Sequence, residues 1–309
     1  MTSPAKFKEY TWLISTIDRA GKISLKDLNK RWVDTEMSGG VEMARTTFNR
    51  RRDAILHTFG ILIECDHQNG YKYYISNKEA LKHDKVRNWM LSTLSVSNML
   101  NDSVGMHNRI LLEDIPSCDD KLTEIINAMR NNRQITFSYH RYGSEEANES
   151  TGSPYCIKLF KRRWYVLVKF EDAPEGKDGL YIYSLDRMEN VVMADTEFTL
   201  DAEFDAAVYF SDSFGVLVDN EKKAERVVLR AYNWEKYYMR DLPIHKSQRE
   251  IEDAGEYADF EVQLRPTADF IAQVMSYGKW LKVVSPQWLV DEIQKQIREA
   301  MERYDIIEH

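Results

Sequence analysis

The spacing of apolar residues changes along the chain. Residues 7–59 follow the helical interval of three or four, residues 134–194 alternate with a period of two, and residues 222–309 mix both patterns. This order predicts an α+β protein with several domains. A length of 309 residues is compatible with two or three domains.

Three helices are predicted at the N-terminus. Gly21 separates the first from the second, and Ser24 can cap the second helix. The third is expected from about Val41 to Phe59, and Phe48 and Ile55 share its buried face with Phe59. The remaining apolar residues that define the first two helices are Tyr10, Leu13, Ile14, Ile17, Leu25, Leu28 and Trp32.

A hairpin follows these helices. Ile61–Asp66 and Tyr71–Ile75 are predicted strands, joined at Asn69-Gly70, a strong short-range hairpin signal. Three helices followed by a hairpin predict a winged helix-turn-helix over residues 1–76 that binds duplex DNA. The candidate DNA-binding residues are Arg45, Thr46, Thr47, Asn49, Arg50 and Arg51 in the third helix and Lys72 in the wing. The alternative is a solvated basic helix on a small protein-binding winged domain.

The distribution of charge supports the DNA-binding interpretation. The formal net charge is -8, yet residues 1–75 hold 12 Lys or Arg against 9 Asp or Glu. A basic N-terminal module on an acidic body is expected when only that module contacts DNA.

The remaining patterns predict four further segments. Residues 77–133 are expected to form a helical connector, with a break at Ile115-Pro116-Ser117. Strands at 155–160, 163–170, 180–185 and 189–194 follow the alternating segment that begins at Gln134, and indicate a small, strongly bent sheet in 134–200. After a linker at 201–221, residues 222–309 show the β-α-β-β-α-β order of a ferredoxin-like domain. Its expected elements lie at 224–231, 234–242, 244–250, 257–264, 267–277, 280–284 and 287–304.

Several functional classes lack sequence support. There is no apolar run of membrane-spanning length and no leader-like segment, and three dispersed cysteines favour reduced thiols in a cytoplasm. No phosphate loop, dinucleotide fingerprint, G-x-S-x-G motif or metal-ligand set is present. We therefore expect no enzyme activity, no cofactor and no metal.

Cations and tyrosines on short strands indicate an anion site instead. Lys161-Arg162-Arg163 leads into the apolar strand that begins Trp164-Tyr165-Val166, and Leu185-Asp186-Arg187-Met188 follows another strand. Three structural alternatives remain at this stage. Trp164 can be a core residue, Asp186 and Arg187 can be a local ion pair, and the three cations can serve solubility alone.

These segments resemble the WYL-domain transcriptional regulators of bacteria. Trp164-Tyr165-Val166 stands where that family has Trp-Tyr-Leu, and Leu185-Asp186-Arg187-Met188 is similar to its Leu-Asp-Arg-Ile corner. Ser153-Pro154-Tyr155 and Phe59-Gly60-Ile61 match further segments. The resemblance covers nearly the whole chain, in the order winged helix, connector, WYL domain and C-terminal extension of the WCX type.

The resemblance implies an Sm-like bent sheet in residues 134–200, a homodimer, and a pocket for a nucleotide or single-stranded nucleic acid. By position, it implies Tyr139, Ser184 and Arg187 as ligand-binding residues. Charge and placement add Lys158, Lys161 and Arg163. Many members of the family have an arginine shortly before the Leu-Asp-Arg corner, where this chain has Tyr181 and Tyr183, so stacking on aromatic rings is also expected.

The sequence thus predicts a DNA-binding transcriptional regulator gated by an anionic ligand. An RNA- or single-strand-binding protein without promoter specificity is the main alternative, because aromatic and basic strands also suit that function. A nucleotide-acting enzyme is a third.

Overall fold

The computed structural model describes residues 4–78, 118–144, 146–174 and 178–304, together with residues 89 and 93. The chain divides into two compact units, Met1–Glu113 and Asp114–His309. Most of the predicted connector, including the break at Ile115-Pro116-Ser117, lies outside the described residues. None of the described helices is long and apolar enough to cross a membrane.

The first unit has the element order of a winged helix. The side chains of Leu13, Ile17, Leu28, Phe48 and Ile55 are fully buried where its helices pack together. The third strand lies between the other two in an antiparallel sheet. The elements are α1 (Pro4–Ala20), β1 (Ile23–Ser24), α2 (Leu25–Val33), α3 (Arg45–Phe59), β2 (Ile63–Asp66) and β3 (Lys72–Ile75).

Capping residues set the ends of the helices. The Ser24 hydroxyl accepts a hydrogen bond from the Asp27 N–H at 3.1 Å and donates one to the Asp27 carboxylate at 2.8 Å, which confirms Ser24 as the cap of α2. Gly60 ends α3 in the left-handed region, where its N–H donates to the Leu56 carbonyl.

The predicted start of α3 at Val41 is wrong by four residues. The Asn29 side chain donates to the Met43 carbonyl at 3.1 Å and accepts from the Met43 N–H at 3.0 Å. Because both backbone groups of Met43 are bound to a buried side chain of α2, Met43 is kept out of the helix, and Ala44 is its extended N-cap. The helix therefore begins at Arg45.

The wing hairpin forms, but its loop is longer than the two residues Asn69-Gly70. Asp66 pairs with Lys72, so residues 67–71 connect the strands. The Asp66 carboxylate accepts hydrogen bonds from the N–H groups of Gln68 and Asn69 and from the Asn69 amide. These contacts stabilise a wider turn than the sequence signal indicated.

The second unit begins with a helix followed by a five-stranded antiparallel sheet. Its last strand returns to pair with its first, so the strands, numbered along this sheet, lie in the order fourth, third, second, first and fifth, as in the expected Sm-like fold. Trp164 is half-buried and packs against the core of this sheet. The elements are α4 (Asp119–Arg130), β4 (Arg133–His140), β5 (Ala147–Phe160), β6 (Arg163–Lys169), β7 (Leu180–Ser184) and β8 (Met188–Glu197).

Strand β5 begins eight residues earlier than predicted, because it belongs to both halves of the bent sheet. Residues 147–152 pair with β4, and residues 153–160 pair with β6. At the change of partner, a Cβ on Gly152 would lie 2.6 Å from Val168 Cγ1 and 3.0 Å from the Lys169 carbonyl oxygen. Only glycine fits this close approach of backbones.

The four strands of the C-terminal sheet lie in the ferredoxin-like order second, third, first and fourth along the chain, with all neighbours antiparallel. One strand differs from prediction. Residues 244–248 form a turn in which the Ile244 N–H donates to the Gln248 side chain, and the strand begins at Arg249. The elements are β9 (Glu225–Tyr232), α6 (Glu235–Asp241), β10 (Arg249–Asp253), β11 (Tyr257–Leu264), α7 (Ala268–Ser276), β12 (Leu281–Ser285) and α8 (Gln287–Arg303).

The linker between the two sheets, which contains α5 (Ala206–Tyr209), is held from both sides. Lys158 on β5 donates to the Gly215 carbonyl, and the Asp269 carboxylate accepts from the N–H groups of Val216 and Leu217 at 3.0 and 3.2 Å. This anchoring fixes the linker against both the bent sheet and α7.

Candidate functional site

The outer face of α3 carries most of the predicted DNA-binding residues. Arg45, Thr46 and Arg50 are exposed, and Thr47 and Asn49 are half-buried at the edge of that face. Among the described residues, neither Arg45 nor Arg50 has an ion-pair partner. Their guanidinium groups are therefore available to phosphate oxygens or base edges.

Arg51 does not belong to this surface. Its guanidinium forms an ion pair with Glu9 on α1 at 2.6 Å and lies 5.0 Å from the centre of the Trp32 ring on α2. Both charged side chains are largely covered, with 16% and 18% of their surface exposed. Arg51 therefore ties α3 to the other two helices, which corrects its assignment as a DNA-binding residue.

Lys72 lies exposed at the start of β3, in the wing hairpin. The nearby Asp66 is already bound to Lys22, whose Nζ lies 2.6 Å from a carboxylate oxygen. Hydrogen bonds from Lys22 and Asn69 lower the pKa of Asp66 to about 2. Among the described residues, Lys72 has no ion-pair partner, so its charge remains available to an external anion.

The predicted ligand site is represented by one cluster at the end of the five-stranded sheet, which we call the arginine corner. The strands bring its members together from distant positions, since Tyr139 is the penultimate residue of β4, Arg163 begins β6 and Ser184 ends β7. A short 3-10 turn, Leu185–Arg187, supplies Asp186 and Arg187, and the turn between β4 and β5 supplies Tyr142. The members of the arginine corner are Tyr139, Tyr142, Arg163, Ser184, Asp186 and Arg187.

Arg163 is bound on two sides. Its guanidinium donates to Asp186, with Nε 3.1 Å from Oδ2, and Nη1 donates to the Tyr142 hydroxyl at 3.2 Å. Partial burial favours the neutral acid at Asp186, but the hydrogen bonds and charge of Arg163 outweigh burial and hold its pKa below the usual value. The same arginine lowers the pKa of Tyr142, mainly by hydrogen bonding.

Arg187 makes a different set of contacts. Its Nη1 donates to the Tyr139 hydroxyl at 3.4 Å, and Nη2 donates to the His140 carbonyl. Its Cζ lies 3.4 Å from the centre of the Tyr142 ring. The Tyr139 and Ser184 hydroxyl oxygens are 3.3 Å apart. Neutral groups therefore orient Arg187, while Asp186 is bound to Arg163. The predicted ion pair between Asp186 and Arg187 is wrong.

Three predicted ligand residues lie away from the arginine corner. Lys158 is directed to the linker, where it lies 3.9 Å from the Phe210 ring. Lys161 lies 5.5 Å from the Phe214 ring. Tyr181 lies in a separate cleft of about 460 Å³, beside the linker. All three side chains lie beside residues of the linker 201–221, so they do not join the arginine corner.

Tyr183 lies beneath the corner as a packing residue. Its ring contacts Phe137 and Tyr139 at centroid distances of 5.0 and 4.8 Å, and burial raises the pKa of its hydroxyl. It is partly buried and supports Tyr139. The stacking of a ligand on Tyr183 stays a prediction.

Sequence reasoning missed Tyr142 as a member of the site. It stands in the turn between β4 and β5, where 77% of its surface is exposed, yet it contacts both arginines. The available signal was an aromatic residue three positions after Tyr139, just before Gly143 in a hairpin turn.

The arginine corner has the chemistry of an anion-binding site. The arginine corner contains two guanidinium groups, of Arg163 and Arg187, and one carboxylate, of Asp186. Its net charge is therefore positive, although the chain as a whole is acidic. Planar guanidinium groups suit phosphate oxygens, and the tyrosine and serine hydroxyls provide further directional hydrogen bonds.

Two known domain families match parts of the second unit. A model of the WYL domain matches residues 120–193, and a model of the WCX domain matches residues 223–301. The chain therefore contains a WYL domain, which includes the arginine corner, followed by a WCX domain. No curated protein gives a significant match.

Two solved structures are similar over 99% of this chain. Proteasome accessory factor B/C (PafBC) of Arthrobacter aurescens is 15% identical, with a TM-score of 0.39, and this chain spans only 48% of it. A CRISPR Cas-related protein is 12% identical, with a TM-score of 0.42 and 87% of that chain covered. Because both TM-scores are below 0.5, these structures carry no argument about function.

Proposed function

We propose that this chain, a protein with a WYL domain and a WCX domain, is a transcriptional regulator that binds duplex DNA and is gated by a phosphate-bearing ligand. The observation that carries the proposal is the arginine corner within the WYL domain. Arg163 and Arg187 come from different elements and both contact Tyr142 there. In this proposal the chain is a binding protein and not an enzyme.

The winged helix supports the DNA-binding part of the proposal. The exposed cations of α3 and the wing belong to the basic portion of an otherwise acidic chain. Electrostatic attraction to DNA then acts mainly on this module. A homodimer belongs to the same proposal, because a helix-turn-helix protein usually reads two half-sites separated by about 10 bp.

The direct test has two stages. Genomic fragments bound by the purified full-length chain are first selected and sequenced, and a regulator enriches a common duplex motif. Uniform recovery of fragments, or preference for single strands over duplex, contradicts promoter recognition and favours the single-strand-binding alternative.

The second stage tests gating on the selected duplex. We expect a nucleotide or short single strand to change duplex affinity in the wild type, and Arg187→Ala to keep basal affinity but lose that change. Circular dichroism checks that the variant is folded. If the folded variant responds like the wild type, the ligand binds elsewhere.

A further inference from the structure

Tyr142 is unusual among the members of the arginine corner because it lies in a loop. It follows β4 in a turn closed by the Ser144 N–H, which donates to the Arg141 carbonyl at 3.2 Å. The ring is 77% exposed and belongs to no hydrophobic core among the described residues. Packing within the domain therefore does not explain its position.

The contacts of Tyr142 involve the two arginines. Arg187 lies against one face of the ring, with Cζ 3.4 Å from its centre, while Arg163 donates to the hydroxyl at 3.2 Å. A cation on one face and a hydrogen bond at the edge hold the ring in a defined orientation. The high exposure leaves the opposite face open to solvent.

An oriented aromatic ring with one open face is a stacking platform for a nucleobase. The ring lies next to two guanidinium groups that suit phosphate, so the base and the phosphate of one nucleotide can be bound side by side. An inorganic anion would use only the arginines. The geometry therefore distinguishes two kinds of phosphate-bearing ligand.

We propose that Tyr142 stacks on a base and makes the arginine corner selective for nucleotides in single strands over phosphate alone. The inference rests on the proposed function, since it names the ligand class of the same site. It assigns selectivity to Tyr142, while Arg163 and Arg187 provide the affinity for phosphate.

The test compares ligands that differ only in their bases. The full-length chain is titrated with a fluorescently labelled short thymidine oligomer, with an abasic sugar-phosphate oligomer of the same length, and with tripolyphosphate as a competitor. We expect the wild type to bind the thymidine oligomer roughly tenfold or more tightly than the abasic one, as base stacking on an aromatic ring predicts.

Two variants of Tyr142 separate the roles of the ring and the hydroxyl, and a third variant serves as the control. Tyr142→Ala should reduce the ratio of the two oligomer affinities to about one, with tripolyphosphate binding kept. Tyr142→Phe keeps the ring and should keep the ratio. Tyr304→Ala removes an equally exposed tyrosine, 80% exposed at the end of α8, and should behave as the wild type.

Each outcome decides the inference. An unchanged ratio in Tyr142→Ala, or an equal loss of all three ligands in a folded variant, overturns it. If the wild type binds tripolyphosphate but shows no preference for bases, the selectivity is wrong while the anion site stands. If the wild type binds none of the probes, the proposed ligand site is wrong. Duplex binding is tested independently, by the selection of genomic fragments.

Discussion

Asp186 pairs with Arg163, 23 residues earlier in the chain, and not with its neighbour Arg187. The pairing joins the turn after β7 to the start of β6, and Arg187 contacts the Tyr142 ring and the His140 carbonyl instead. One carboxylate therefore positions one arginine of the site and leaves the other without a countercharge among the described residues.

This pairing predicts a dependence of stability on pH. The folded-state pKa of Asp186 is lowered, so the ion pair stabilises the fold at neutral pH and is lost as the pH falls through that pKa. We expect Asp186→Asn to be less stable than the wild type at neutral pH, with the difference shrinking below about pH 4. Urea unfolding across this range measures it. The exposed Asp172→Asn serves as the control, and a pH-independent difference would contradict the prediction.

Replacing two neighbouring arginines of α3 should affect different properties, DNA affinity for Arg50 and fold stability for Arg51. Arg50→Ala should weaken duplex binding, by about 1–3 kcal/mol for a base contact, and leave the unfolding temperature unchanged. Arg51→Ala should lower the free energy of unfolding by roughly 1–2 kcal/mol, because it loses Glu9 and the Trp32 ring. Fluorescence anisotropy and thermal unfolding of both variants provide the comparison. Equal DNA affinity for Arg50→Ala and the wild type would remove Arg50 from the interface.

The wing should contribute to affinity without sequence preference. Lys72→Glu should weaken binding to every duplex and reduce the dependence of affinity on salt, because fewer counterions are released. Titrations at several salt concentrations measure the slope. The same slope in Lys72→Glu and the wild type would show that the wing does not touch the phosphates.

The start of α3 should depend on Asn29. Replacing Asn29 with alanine leaves the buried N–H and C=O groups of Met43 without their partner and should cost roughly 1–3 kcal/mol. Chemical denaturation of the variant tests this, with Lys30→Ala at the exposed neighbouring position as control. Equal losses in the two variants would argue against a specific role of the Asn29 side chain.

The proposed homodimer predicts the molar mass of the protein in solution. Light scattering of the purified chain should give about twice the monomer mass of 36.3 kDa at micromolar concentration. A monomer mass at all concentrations, with and without DNA, would contradict the dimer.

The sequence by itself determined much of the local structure. Helical spacing placed Phe48, Ile55 and Phe59 on one buried face, because burial requires an apolar stripe along a helix. Ser24 and Gly60 set helix ends, because a side-chain cap and a left-handed residue act within a few positions of the chain. The β-α-β-β-α-β order predicted the ferredoxin-like sheet for the same reason, since each element is encoded locally.

Only the tertiary structure decided which cations act together. Arg50 and Arg51 are neighbours in sequence, yet Arg51 pairs with Glu9 from another helix. Lys158, Lys161 and Arg163 lie within six positions, yet only Arg163 reaches Asp186 and Tyr142. The partners of a charged side chain come from elements distant in the chain, so their identity depends on strand order and register, which local patterns do not encode.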